Sequence, residues 1–144
     1  MKIRALAPKD RAAWGGLWKG YLDYYETELP AEMYDTAFKR MLSGSDHEFH
    51  GLVAEKDGKL IGLTHYLFHR HGWKVEPVIY LQDLYVSDAA RGTGAGRALI
   101  EAVYAAGDAV NCPTVYWLTQ DFNKNGRRLY DRVGSLTPFI KYQR

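Results

Sequence analysis

The stretch LQDLYVSDAARGTGAGRALIEAVYAAG, residues 81–107, passes from a β-branched and aromatic run through glycines at 92, 94 and 96 into an alanine-rich segment with helical spacing. Glycine lets the backbone take φ > 0 and lets a ligand approach without meeting a Cβ atom. The helix that follows starts with N–H groups that have no intrahelical acceptor, at the positive end of its dipole. Strand, glycine turn and helix start together predict an anion site, and the usual anion is a phosphate.

Working outward, Lys2 to Leu6 alternates as a half-buried strand does, and Pro8 with Asp10 reads as a helix start. Trp14, Leu17, Trp18, Tyr21, Leu22 and Tyr25 then form a helical stripe whose plainest reading is core packing. Pro30 separates it from a second helix carrying Tyr34, Ala37, Phe38 and Met41 on one side. His50–Lys56 and Leu60–Phe68 flank Asp57-Gly58, the signal of an antiparallel hairpin. Val78–Val86 is a further strand entering the glycine turn, and Leu99, Ala102, Val103, Ala106 and Val110 line the next helix. A short strand (114–118), a helix (123–133) and a terminal strand (139–142) complete the order β-α-α-β-β-β-α-β-α-β. This predicts one α/β domain over residues 1–144, a mixed and mostly antiparallel sheet flanked by helices.

The chain's 144 residues suffice for one core without disulfides or metal. A formal net charge of +2, with its basic residues scattered, gives no reason to expect nucleic acid or a membrane as partner. Cys112 is the only cysteine, which fits a reducing compartment, and no apolar leader or span is evident, so a cytoplasmic protein is expected.

Three phosphate readings compete for residues 91–97. A P-loop needs Gly-Lys-Ser/Thr at its end, whereas Arg97-Ala98 follows Gly96. A dinucleotide fingerprint needs its third glycine one place later, where Arg97 stands, and an acid nearer than Asp121. Arg91-Gly92-Thr93-Gly94-Ala95-Gly96 matches the R/Q-x-x-G-x-G/A signature for the pyrophosphate of coenzyme A, and here the chain resembles the GNAT family of acetyl-CoA-dependent N-acetyltransferases. Tyr80–Val86 resembles the strand that precedes that turn in the family. Asn123, Gly126, Tyr130 and Gly134 resemble its N-x-x-A-x-x-x-Y-x-x-x-G spacing, with glycine for alanine, and Ser135 stands where phenylalanine is usual. Within the family the resemblance runs to the yeast histone and polyamine acetyltransferases and their bacterial relatives, through Trp14–Tyr25, Glu26–Pro30, His65-Tyr66, Val115–Thr119 and Phe139–Tyr142.

The resemblance implies an enzyme using acetyl-CoA, with Tyr130 as general acid, the Leu84 N–H facing the oxyanion, and Val86 and Asn123 holding the pantetheine arm. Arg91, Gly92, Thr93, Gly94, Ala95, Gly96 and Arg97 would hold the pyrophosphate, and Gly126 would keep the helix slim beside the cofactor. Transfer to an amine also needs a proton acceptor, because an amine of pKa ~10.4 is neutral only about once in a few thousand molecules at pH 7. Asp83 is the motif's carboxylate. A glutamate occupies the place of Gln82 in the family's diamine acetyltransferases, and glutamine can orient water but cannot take its proton. Neutral His65 is a further proton acceptor, on one strand face with His69. With His71 these histidines form H-x₃-H-x-H, but no other ligand completes a set, so no metal is expected.

Asp23, Glu26 and Glu28 would attract a cationic amine, or else form a solvated helix end. The expected acceptor is a small primary amine, polyamine-like or an amino acid, with a protein lysine also open. A non-catalytic CoA-binding sensor and a nicotinamide oxidoreductase are the rival classes. The aromatic stripe and a short terminal edge strand predict a homodimer.

Overall fold

A computed structural model describes residues 1–144. Strand β1 (Lys2–Ala5) and a one-turn 3-10 helix (Pro8–Asp10) lead into helix α1 (Arg11–Tyr24) and then α2 (Ala31–Leu42). Strands β2 (His50–Lys56), β3 (Lys59–His69) and β4 (Val78–Val86) follow, then α3 (Ala95–Asp108), β5 (Val115–Tyr116) and α4 (Lys124–Val133). The sheet order is β1-β2-β3-β4-β5, antiparallel throughout except for the parallel pair β4–β5. The mixed α/β architecture expected from the sequence is the one observed.

Local chemistry explains the elements. Asp57 (φ 51°) and Gly58 (φ 77°) are both left-handed, the requirement of a two-residue type I′ hairpin turn. Trp14, Leu17, Trp18 and Leu22 of α1 are buried with Phe38, Met41, Val53 and Leu63 on one face of the sheet. On the other face Ile100 and Val103 of α3 pack with Tyr66, Ile79 and Leu81. The stripe on α1 is therefore core along most of its length.

Strand β4 carries an irregularity that its apolar pattern conceals. His65 pairs with Asp83 and Tyr66 with Leu81, leaving Gln82 as an extra residue in a β-bulge. Because side chains alternate with period two, one inserted residue reverses the phase of everything after it. Ile79 and Leu81 face α3, yet beyond the bulge Asp83 and Tyr85 face α1. The Thr64 hydroxyl donates to the Asp83 carbonyl at 2.8 Å and ties the bulged backbone to β3.

Two expectations at the C-terminus need correction. The strand over 114–118 contracts to Val115–Tyr116, and the terminal strand over 139–142 does not form. A strand needs an edge to pair with; β5 offers two residues, and Pro138 has no N–H to donate. Leu136, Phe139, Ile140 and Tyr142 are consequently exposed. Val110, expected on the apolar side of α3, lies past the helix end and is exposed too.

The first strand is tied to α1 through a buried carboxylate. Asp10 accepts bonds from Arg4 at 2.7 and 2.9 Å and from the Ala7 N–H at 2.8 Å. The Arg4 guanidinium, outweighing burial, holds the Asp10 carboxyl below its ordinary range. Its contribution is therefore present above about pH 4 and is lost as pH falls through the depressed folded value. Asp10→Asn should destabilise the fold by about 1–3 kcal/mol at pH 7. In urea unfolding that difference should shrink as pH is lowered below the carboxylate range.

Candidate active site

The glycine turn is built as an anion cradle. Gly92 (φ +80°) and Gly94 (φ +84°) are left-handed, with open space where a Cβ would stand. Gly94 caps α3 without a side-chain bond, and the first helical bond runs from the Ala98 N–H to the Gly94 carbonyl at 3.0 Å. The N–H groups of Gly94, Ala95, Gly96 and Arg97 find no acceptor in the chain. Gly96 serves packing, since a Cβ there would approach Leu129 at 3.2 Å. The Thr93 hydroxyl donates to the Ala90 carbonyl at 2.6 Å and holds the turn closed. Arg91 pairs with Asp88 at 2.9 Å and Arg97 with Glu101 at 2.8 Å, both exposed pairs of the weak kind that exchange partners readily.

Beside this turn the sheet opens. Strands β4 and β5 pair only at Ile79–Val115 and Tyr80–Tyr116 and then part, leaving a narrow cavity of about 30 Å³. Its walls are Tyr21 and Tyr25 from α1 and its end, Leu81, Gln82 and Leu84 from β4, and Trp117, Leu118 and Tyr130 opposite. Val86 lies deeper, beside Gly96. The Tyr130 ring meets Trp117 edge-on at 5.6 Å, and Gly134 makes room for that indole, which a Cβ would approach at 3.0 Å. Burial, with smaller contributions from Tyr25 and Tyr24, pushes the Tyr130 phenol up to about 12. The phenol therefore keeps its proton across the physiological range. It is also a weaker acid than the ordinary value of ~10 on which a balanced transfer to a thiolate rests.

Asp83 is buried behind the cavity wall, facing α1. It accepts a bond from His65 Nδ1 at 2.8 Å, while His65 Nε2 lies 2.9 Å from Trp14 Nε1. The indole N–H can only donate, so Nε2 accepts and Nδ1 carries the hydrogen. Both ring nitrogens are thus engaged, which removes His65 as a proton acceptor open to the cleft. Burial, with a smaller contribution from the negative charge of Asp83, holds the Tyr21 phenol well above its ordinary range.

The other expected residues are dispersed. Asn123 caps α4, its Oδ1 accepting from the Gly126 N–H at 3.2 Å and its Nδ2 donating to Thr119 at 3.0 Å. A Cβ at position 126 would run into that capping side chain, so Gly126 accommodates the cap. Asp23 pairs with Lys19 at 2.8 Å and, with Glu26, Thr27 and Glu28, lines a shallow hollow at the end of α1. Glu26 is left-handed (φ 52°) where glycine is usual, with Glu26 N–H to Asp23 O and Thr27 N–H to Leu22 O bonds closing the helix. His69 is half-buried and bonds Tyr116, His71 accepts from the Trp73 N–H, and no group of three potential metal ligands converges. Sequence reasoning missed Tyr21, Tyr25, Trp117 and Leu118 as cleft residues. The signal was the pair of tyrosines ending an otherwise tryptophan and leucine stripe.

The model of the Acetyltransferase (GNAT) family matches residues 14–134. The chain belongs to the GNAT family of acetyltransferases. It is 39% identical over 143 residues to the D-amino-acid N-acetyltransferase HPA3 of Saccharomyces cerevisiae (strain ATCC 204508 / S288c), covering 99% of this chain and 89% of that protein. It is 30% identical over 146 residues to an uncharacterized N-acetyltransferase, YhfO, of Bacillus subtilis (strain 168), covering 99% and 95%. The fold matches that of the aminoglycoside N-acetyltransferase AAC(6')-Iy in complex with a CoA bisubstrate analog, with a TM-score of 0.86, 22% identity and coverage of 99% and 96%. The protein is a GNAT N-acetyltransferase and its cofactor is acetyl-CoA. The cradle fits that molecule's pyrophosphate: unpaired N–H groups converge, and Gly92 and Gly94 leave clear the space that side chains would fill.

Gly94→Ala tests the cradle. A Cβ at that left-handed φ strains the turn by about 1–2 kcal/mol and crowds the donors. The KM for acetyl-CoA should rise about tenfold or more with a far smaller change in kcat, read in a steady-state thiol-release assay.

Proposed function

We propose that this protein is a single-domain, cytoplasmic N-acetyltransferase for small primary amines, with the α-amine of an amino acid as first acceptor. One observation carries this reading: the opening between β4 and β5 is lined by Tyr130, Gln82, Tyr21 and Tyr25, and β4, which forms one of its walls, runs on into the turn that bears the N–H cradle. The yeast relative's action on D-amino acids supports an amino acid, and the opening is too narrow for a folded surface to enter. A polyamine is the second reading, favoured by the exposed carboxylates of Asp23, Glu26 and Glu28 beyond Tyr25.

Acetyl-CoA, when bound, supplies an acyl group on a good leaving thiolate. The cradle residues, with Arg91 and Arg97 released from Asp88 and Glu101, would hold its pyrophosphate. Asn123 and Val86 would border the pantetheine arm, and the Leu84 N–H would face the developing oxyanion. Tyr130 holds a proton within the cleft for the departing sulfur, Gln82 orients the amine or a water, and Asp83 is the carboxylate that receives the amine's proton. Exposed Leu136, Phe139, Ile140 and Tyr142, together with the unpaired outer edge of β5, support a homodimer; a purely monomeric mass by light scattering would overturn it.

The deciding assay is thiol release from acetyl-CoA with D- and L-amino acids, spermidine and a lysine-rich peptide. Amino acids should react fastest. Turnover with the peptide alone would replace the small-amine reading. Binding of acetyl-CoA without turnover on any acceptor in this set would remove support for it. Tyr130→Phe should lower kcat about 10²–10⁴-fold with acetyl-CoA affinity retained.

A further inference from the structure

The peptide group between Asp83 and Leu84 has its carbonyl held by β3 and its N–H at the cleft wall. A trans peptide points its C=O and N–H in opposite directions. The Thr64 hydroxyl donates to the Asp83 carbonyl at 2.8 Å, so that carbonyl faces β3 and the Leu84 N–H faces away from it. The strand register gives the same direction independently. Beyond the bulge β3 and β4 pair without a break from Asp83 to Val86, and the Ser87 N–H bonds the Ile61 carbonyl across the same ladder at 2.9 Å. Inter-strand bonds alternate along an antiparallel pair, so the N–H groups of Tyr85 and Asp83 share the Ser87 direction and those of Leu84 and Val86 point the other way. On that side β5 has already parted from β4 after Tyr80, and Leu84 lines the opening.

We infer that Thr64 is a positioning residue for acetyl transfer: its hydroxyl fixes the Asp83–Leu84 peptide so that the Leu84 N–H is aimed into the cleft. The inference rests on the transferase reading above, in which that N–H meets the oxygen where negative charge develops. Such a donor helps only when it is already in place, because a peptide that must turn during the reaction gives back what its hydrogen bond gains. A bulge is where a strand is least able to hold a peptide by itself, since the extra residue interrupts the ladder. A hydrogen bond to the carbonyl also polarises the amide and makes its N–H a stronger donor.

Two features set Thr64 apart from a packing residue. It is fully buried, cross-strand from Leu52 and Leu84 on the face covered by α3, where valine would have the same shape and no polar atom to satisfy. Its bond is also one half of a clamp. On the α1 face His65 Nδ1 bonds the Asp83 carboxylate at 2.8 Å, with Trp14 behind it. Two consecutive residues of β3 thus hold one residue of β4 from both faces, one by its carbonyl and one by its side chain.

The test compares Thr64→Val, which keeps the shape and loses the donor, with Thr64→Ser, which keeps the donor and loses a methyl group. Thr64→Val should lower kcat about tenfold in the thiol-release assay, with acetyl-CoA affinity and the KM of the amine within about twofold of wild type. Thr64→Ser should keep most of kcat although the lost methyl lowers its thermal unfolding midpoint. In NMR spectra of the free protein, the Asp83 carbonyl-carbon and Leu84 amide-nitrogen resonances should move upfield in Thr64→Val and stay near their wild-type positions in Thr64→Ser. Wild-type kcat in Thr64→Val, or rates in the two variants that follow their thermal midpoints, would overturn the positioning role and leave the transferase standing. A wild type that binds acetyl-CoA yet acetylates no amine would overturn both.

Discussion

The β-bulge at Gln82 is the constraint on which the rest of the site depends. Regular pairing would continue the phase of Ile79 and Leu81, and Asp83 would then project into the apolar layer beneath α3. One extra residue turns it toward α1 instead, where His65 Nδ1 supplies a hydrogen bond at 2.8 Å. The same residue leaves Gln82 exposed on the cleft wall. It lies two residues past the last β4–β5 pair, so the bend that accompanies a bulge coincides with the opening of the sheet.

A buried carboxylate is costly unless its acceptors are filled, and neutral donors fill them here. That choice separates Asp83 from Asp10, the other buried acid. Asp10 is locked by the Arg4 guanidinium and fastens β1 to α1. Asp83 is held by the imidazole of His65, with no guanidinium or ammonium paired to it. Two acids of similar burial thus differ in their partners: one is locked by a guanidinium, the other bonded to an imidazole.

What could be read from the sequence follows from how local each feature is. The Asp57-Gly58 turn, the capped helices and the glycine cradle depend on residues within one turn of each other, and all are found where the pattern puts them. The bulge depends on pairing between residues 65 and 83 and leaves no mark in β4's own composition. The terminal strand failed for a related reason: Phe139–Tyr142 has strand chemistry but no paired edge to join. Gly126 and Asn123 were recognisable as a motif, yet their observed contacts concern the cap of α4, which spacing cannot distinguish from cofactor contact. Tyr21 was hidden in plain periodicity, because a helical stripe does not reveal where core ends and cleft begins.

The glycine turn after β4 and the end of α1 have opposite electrostatic character. Four N–H groups and the dipole of α3 make a positive cradle, while Glu26 and Glu28 line an acidic hollow of their own just after Tyr25 in the chain. The narrow cavity between Tyr130 and Tyr21 is itself lined by uncharged side chains. The phenols that face each other there are both held protonated by burial, so neither opposes the approach of a reactant with a charge. Their difference lies in what stands behind them. Tyr130 backs onto Trp117 and has no carboxylate among the groups that raise it, whereas Tyr21 backs onto Asp83. Two similar side chains on facing walls thus stand in different surroundings, one against an indole and one near a buried negative charge.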